Sequence, residues 1–304
     1  MKSDYLQPRI AIVSRFDRHR IRGLTKPPVH RFSPTRRTNL NRASRHFSGA
    51  SIGWNWSVPL ARLIVVSNRV AVPGQGGQSQ AGGLAVALHP VLRRHPGIWL
   101  GWSGQVAAAP DVKVHTVQHG HQTYVLIDLG QEDYDEYYNG DANKVLWPIL
   151  HYRLDLAEFS RRDLSGYMRV NQRFAAELKK LLQPEDIVWV HDYHLMPLGK
   201  ELRNSGHHNR IGFFHHIPFP PPEFVTALPN HEHLIPAMSH YDLIGFQTEI
   251  DATNFARYLR KECGMPSRDP YTFQTADQTI KIGIFPCRRP GRAGDVPSSF
   301  QHDR

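Results

Sequence analysis

Short β-branched and aromatic runs recur along this chain, each cut off by polar, glycine or proline residues and most followed by a stretch of helical spacing. Leu63-Ile64-Val65-Val66 is the first, bounded by Ser67-Asn68. Tyr124 to Leu129, Asp186 to Val190, Arg210 to His215, Asp242 to Phe246 and Ile280 to Phe285 follow. Runs of this length, apolar on both faces, predict buried strands. Between them Leu84 to Arg94, Gly166 to Leu182, Leu195 to Asn204 and Glu249 to Glu262 predict helices; in the second, Val170, Phe174, Leu178 and Leu181 share one face. Strand and helix in alternation predict an α/β fold, a Rossmann-like, mostly parallel sheet flanked by helices.

This pattern covers residues 61–286, which predicts one folded domain there. The flanks differ. The chain carries a formal charge of +10, and all of it resides in residues 1–60, where 12 Lys/Arg meet only Asp4 and Asp17. The rest of the chain is neutral, so its global basicity gives no reason to expect nucleic-acid binding by the folded part. The Arg-, Ser- and Pro-rich first segment reads as a disordered basic arm, an organelle-targeting peptide or translated upstream sequence. Residues 287–304, opening on Cys287-Arg288-Arg289-Pro290, have no periodicity and predict a second disordered tail. Cys263 and Cys287 form no CxxC pair, which argues against a zinc or disulfide framework and suits a cytoplasmic setting. No apolar run reaches the roughly 18 residues of a membrane span.

In open α/β sheets ligands bind beyond the carboxyl ends of the strands. The first strand ends in Ser67-Asn68-Arg69, and a Gly-rich loop leads to Ala81-Gly82-Gly83-Leu84 at a helix start, where backbone N–H groups can meet a phosphate. A dinucleotide fingerprint is not met, because Ser79 stands where the third glycine belongs. The third strand ends in His191-Asp192-Tyr193-His194, which sets a carboxylate at a strand tip, placed to accept sugar hydroxyls. His191 and His194 lack the companions a zinc site needs; the first reads as a buried histidine and the second as a helix-start residue. The fourth strand runs into His215-His216 and a proline-rich turn, which puts His216 in the same crevice as Asp192. Trp99, Trp102, Tyr137, Tyr138, Trp147 and Tyr152 supply aromatic surface, most of it expected in the core, with some rings free to line a sugar cleft.

Taken together, RLIVVSNR (62–69), AGGLA (81–85), GWSG (101–104), DEYYN (135–139), VLWP (145–148), HYRLDL (151–156), VHDYHL (190–195), RIGFFHHIPFP (210–220) and DLIGFQT (242–248) resemble the N-terminal half of the trehalose-6-phosphate synthase family, in its order and spacing. The resemblance implies a GT-B fold, in which two Rossmann-like domains face each other across a cleft. It implies retaining transfer of glucose from UDP-glucose to glucose 6-phosphate, with no metal and no cofactor. By motif, Arg69 and Tyr138 would hold the acceptor phosphate, and Trp147 and Asp192 the acceptor sugar. Gly82 and Gly83 would lie near the donor diphosphate, and His216 would approach the transferred glucose; His216 and Asp192 are thus the expected catalytic pair. The acceptor hydroxyl would attack the face that UDP leaves, so the protein's work would be positioning and charge stabilisation.

After Pro286 the family continues into its second domain, where this sequence departs from it. The expectation is therefore a chain carrying the acceptor side, with the second domain missing and little activity alone. A non-catalytic sugar-phosphate-binding module, or a partner of a full-length synthase, is the alternative. Nucleic-acid binding through residues 1–60 is a third and weaker reading, and association with a second copy is left open.

Overall fold

The computed structural model of the protein describes residues 61–73, Leu88, Leu92, 97–108 and 113–286. Among the described residues ten strands form one sheet: β1 (Leu63–Arg69), β2 (Gly97–Ala107), β3 (Val114–His119), β4 (Gln122–Gly130), β5 (Ile187–His191), β6 (Arg210–Phe214), β7 (Leu243–Phe246), β8 (Ser267–Asp269), β9 (Thr272–Gln274) and β10 (Thr279–Ile284). Their order is β3-β4-β2-β1-β5-β6-β7-β10-β9-β8. The seven strands from β4 to β10 pair in parallel, and β3, β9 and β8 add antiparallel margins. The chain builds outward from β1 to β2 and β4, then returns to lay β5 against the other side of β1. That reversal makes the carboxyl ends of β1 and β5 a topological switch point, where an open parallel sheet leaves a crevice.

Both faces of the sheet are covered. On β1, Ile64 and Val66 enter one apolar cluster, and Leu63 and Val65 the other. On β5, Val188 and Val190 join the first, and Ile187 and Trp189 the second. Strands buried on two sides cannot alternate polar and apolar residues, which is why they read as continuous runs. Leu88 and Leu92, from the predicted helix after β1, are buried in the second cluster. The expected strand near Tyr124 extends to Gln122–Gly130. β2 was not among the expected strands, because glycines and Ser103 interrupt its apolar pattern; β3, the edge strand beside β4, is exposed along most of its length.

Residues 131–150 are helical throughout. Their centre, Tyr134–Leu146, is π-helical, and the N–H of Trp147 still reaches back to the carbonyl of Ala142. π-Helical turns are rare and concentrate at functional sites. The segment packs on helix α1 (Arg161–Lys179), where buried Glu136 is bonded by Arg162 and, at 2.9 Å, by Arg169. α1 starts before the expected Gly166 because Ser160 caps it, its hydroxyl accepting the N–H of Asp163 at 3.2 Å. Helices α2 (Leu198–Asn204), α3 (His231–Ala237) and α4 (Glu249–Lys261) follow. α2 begins only at Leu198, since Pro197 occupies its N-cap and a 3₁₀ turn, Tyr193–Leu195, precedes it. α4 is capped by Thr248 and matches its expected start. Among the described residues no helix is long and apolar enough to cross a membrane.

Candidate functional site

The tip of β1 is braced from within the core. Trp99 donates its indole N–H to the Ser67 hydroxyl at 2.8 Å, and that hydroxyl donates to the Arg69 carbonyl at 2.9 Å. Tyr137, fully buried in the π segment, donates its hydroxyl proton to Asn68 Oδ1 at 2.8 Å. The exposed Arg69 side chain is thus carried on a rigid base. Its guanidinium lies over the Trp102 ring, 5.4 Å from the centroid, a favourable cation–π placement. It also lies along Gly104, whose φ is +90° and where a Cβ would come within 2.5 Å of a guanidinium nitrogen. The GWSG stretch of β2 is therefore shaped to let arginine cross it.

From Trp102 a continuous aromatic wall leads toward β5. Tyr138 lies 5.5 Å from Trp102 and 5.6 Å from Tyr134, and it stacks on His194 at 5.9 Å with ring planes only 12° apart. The half-buried Tyr138 keeps part of its surface in solvent. Burial pushes the His194 imidazole down to about 3, so it is neutral, and neither ring nitrogen has a hydrogen-bond partner among the described residues. It serves as a flat support for Tyr138. Tyr193 adds a bond from its hydroxyl to Asn143 Oδ1 at 3.1 Å, tying the start of the 3₁₀ turn to the π segment.

At the tip of β5, Asp192 has φ 73° and ψ 167°, a conformation that an L-residue avoids. Strained backbone of this kind persists where surrounding contacts over-determine it, and it clusters at working sites. Here Asp192 N–H donates to the Phe214 carbonyl at 2.9 Å. Its Oδ1 accepts the N–H of Tyr193 at 3.0 Å and that of His216 at 3.2 Å. Burial pushes the carboxyl up to about 6, against the two backbone N–H bonds that favour the charged form.

His216 is held from three directions. Its N–H is on Asp192, and its carbonyl accepts from the Gln247 amide beyond β7. Its ring Nε2 sits 2.9 Å from Nδ1 of His191, with the Phe214 ring edge-on at 4.6 Å. A chain of contacts thus runs from Arg69 through Trp102, Tyr138, His194 and Tyr193 to Asp192 and His216. Trp147 stands one step away at the end of the π segment: 40% exposed, it stacks on His151 at 4.1 Å. Gly82 and Gly83, expected near a donor diphosphate, lie outside the described residues, as do segments 1–60 and 287–304. Among the described residues no group of three or more His, Cys, Asp or Glu could hold a metal ion.

Residues 61–288 match the family model described as Glycosyltransferase family 20. The chain belongs to that family. A trehalose-6-phosphate synthase of Sinorhizobium fredii is 52% identical over 205 residues, which is 67% of this chain and 44% of that protein. An Escherichia coli trehalose-6-phosphate synthase is 44% identical over 227 residues, 75% of this chain and 48% of the relative. Among solved structures, a Burkholderia xenovorans alpha,alpha-trehalose-phosphate synthase (UDP-forming) in complex with glucose-6-phosphate superposes with a TM-score of 0.70 at 42% identity, covering 74% of this chain and 50% of that one. An E. coli structure bound with UDP-2-fluoro glucose gives 0.69 at 43% identity, covering 75% and 49%. The described sheet is thus one Rossmann-like unit of the GT-B architecture. The family-20 chain spans about half the length of the curated relatives it matches.

Part of the aromatic wall of this family-20 chain is not apparent from its sequence. Tyr134 is not among the expected site residues, Trp102 is expected only as one of several aromatics of core or cleft, and His194 only as a helix-start residue. Their roles depend on the π segment bringing Tyr138 over His194, which no local spacing announces. The signal that was available is compositional: three tyrosines within Tyr134–Tyr138, too many for one buried face.

Proposed function

We propose that residues 61–286 form the acceptor side of a retaining glucosyltransferase that moves glucose from UDP-glucose to glucose 6-phosphate, releasing UDP and forming α,α-trehalose phosphate. In this reading Arg69 and the Tyr138 hydroxyl take the acceptor phosphate. Asp192 accepts hydroxyls of the acceptor sugar, Trp147 shapes the sugar pocket, and His216 faces the transferred glucose. Gly82 and Gly83 approach the donor diphosphate. Catalysis is by orientation and by stabilisation of a charged transition state. The setting is cytoplasmic, in keeping with a chain of only two cysteines.

One arrangement supports the reading: a guanidinium, a phenol, a strained carboxylate and an imidazole are joined by a chain of contacts along the carboxyl ends of β1, β5 and β6. A cation with a phenol suits a phosphate, and a carboxylate ringed by N–H donors suits sugar hydroxyls. The relatives described above, one solved with glucose-6-phosphate, support the same assignment.

Calorimetric titration of glucose 6-phosphate into the 304-residue protein tests it. Saturable binding is expected, weakened in Arg69→Ala by about 10- to 100-fold, the loss of one charge-assisted hydrogen-bonded contact. Glucose, which lacks the phosphate, should bind wild type and Arg69→Ala alike. No binding of glucose 6-phosphate, or equal binding by the variant, overturns the assignment of the acceptor site.

A further inference from the structure

Trp147, the exposed ring given to the sugar pocket above, is followed four residues later by His151, which has no role so far. The stretch between them, Trp147–Leu150, is one α-helical turn at the end of the π segment. Residues four apart on a helix share a face, and here the two rings stack with centroids 4.1 Å apart and planes inclined by 28°. The Trp147 carbonyl accepts twice from His151, from its backbone N–H at 3.1 Å and from ring Nδ1 at 2.8 Å. A carbonyl oxygen has no proton to give, so Nδ1 carries one and His151 is the donor. That bond fixes the imidazole against the indole. The turn itself is locked behind it. Tyr152 N–H donates to the Ile149 carbonyl at 3.0 Å and Arg153 N–H to the Pro148 carbonyl at 2.8 Å, the paired bonds of a Schellman motif. Tyr152 fills the left-handed position of that motif, with φ 63°, where glycine is usual. Its ring turns away from the indole and meets Phe224 edge-on at 5.3 Å.

We infer that His151 is a positioning residue for Trp147: its imidazole, held by the Trp147 carbonyl, stacks on the indole and sets the plane that the acceptor sugar meets. The functional consequence rests on the proposed role of Trp147 at that sugar. The geometric claim does not. With 40% of its surface exposed, Trp147 is not ordered by burial in the core. Among the described residues no other ring stacks on it, and its indole N–H has no hydrogen-bond partner. An exposed indole without such a neighbour turns about its side-chain bonds and must be ordered when a ligand arrives, which weakens binding. A ring already held in place does not carry that cost.

Binding measurements on the full 304-residue protein test the inference. His151→Asn keeps a side-chain N–H near the Trp147 carbonyl but removes the ring. It should weaken glucose 6-phosphate binding by about 2- to 10-fold, the effect of having to order one more side chain. His151→Phe keeps a ring and removes the bond, and should fall between His151→Asn and wild type. Inorganic phosphate, which can reach Arg69 without touching Trp147, should bind wild type and both variants alike. An equal loss for phosphate would mean a general disturbance of the fold and overturn the inference. In a Trp147→Ala background His151→Asn should have no further effect, because the ring it orders is gone; additive losses would overturn the inference. Fluorine NMR of protein labelled with fluorotryptophan reads the ring with no ligand present. The Trp147 signal, assigned by its loss in Trp147→Phe, should move toward that of a free indole in His151→Asn, and an unchanged signal would overturn the inference. Should Trp147→Ala bind glucose 6-phosphate as wild type does, or wild type not bind it at all, the acceptor-site reading fails, while the fluorine spectra still decide whether His151 orders Trp147.

Discussion

Asp192 and Asp141 are two buried carboxyls with different consequences. Burial raises Asp192 to about 6, and an acceptor of sugar hydroxyls works best ionised. Affinity for glucose 6-phosphate should therefore fall as pH drops from 7 to 5, and Asp192→Asn should remove that part of the pH dependence, leaving only the change from the ligand's own phosphate. Calorimetry of both proteins across that range separates the two. Asp141, on the π segment, is 4% exposed; its Oδ2 has no hydrogen-bond partner among the described residues. Burial, with Asp163 nearby, lifts its carboxyl from 3.8 to about 7. The folded state thus holds this proton more tightly than the unfolded chain does. Its contribution is fully present below about pH 4 and is lost as pH rises through about 7. Asp141→Asn cannot ionise, so it should exceed wild type in stability at pH 8, by on the order of 1–4 kcal/mol, and match it near pH 4. Urea unfolding at the two pH values checks this; a variant less stable at pH 8 would show that the charge is tolerated. Asp192 was legible in the sequence because strand tips are where α/β sheets bind ligands. Asp141 was not, since nothing in DEYYNGDAN tells which residue α1 will cover.

The strands show the same division. β1, β5, β6, β7 and β10 were readable because parallel strands buried on two faces must be continuous apolar runs. β2 hides behind its glycines, and β8 and β9 are too short to carry a pattern. The π segment was unreadable for a different reason: its winding is set by what it packs on. Gly166 of α1 faces it so closely that a Cβ there would stand 2.3 Å from Glu136 Cβ. Glu136 cannot swing away freely, being held by Arg162 and Arg169. Gly166→Ala must therefore push the π segment from α1, for an overpacking cost of about 1–3 kcal/mol. Tyr138 rides on that segment and takes its orientation from His194 and Trp102. The variant should lose glucose 6-phosphate affinity as well as stability, although position 166 is part of no contact described for the site. Loss of thermal stability with unchanged affinity would show that Tyr138 is positioned without the help of α1.

At the scale of the whole molecule, the described residues supply one side of the proposed site. Everything argued for phosphate and sugar recognition comes from the carboxyl ends of β1, β5 and β6 and from the π segment. The curated relatives are about twice as long as the part matched here, and a GT-B enzyme works in the cleft between two such units. Electrostatic contacts weaken where water has access, because the effective dielectric rises. Acceptor binding by residues 61–286 should therefore be measurable but modest, and transfer should be far more sensitive than binding to what faces them across the cleft. The 304-residue protein incubated with UDP-glucose and glucose 6-phosphate should release UDP much more slowly than the E. coli synthase. The second half of that synthase, added in trans, should raise the rate, and the increase should disappear with Arg69→Ala. Full-speed turnover by the 304 residues alone would mean that one wall suffices for catalysis, and the division of labour proposed here would have to be abandoned. An increase that survives Arg69→Ala would instead leave the division intact and move the phosphate site elsewhere.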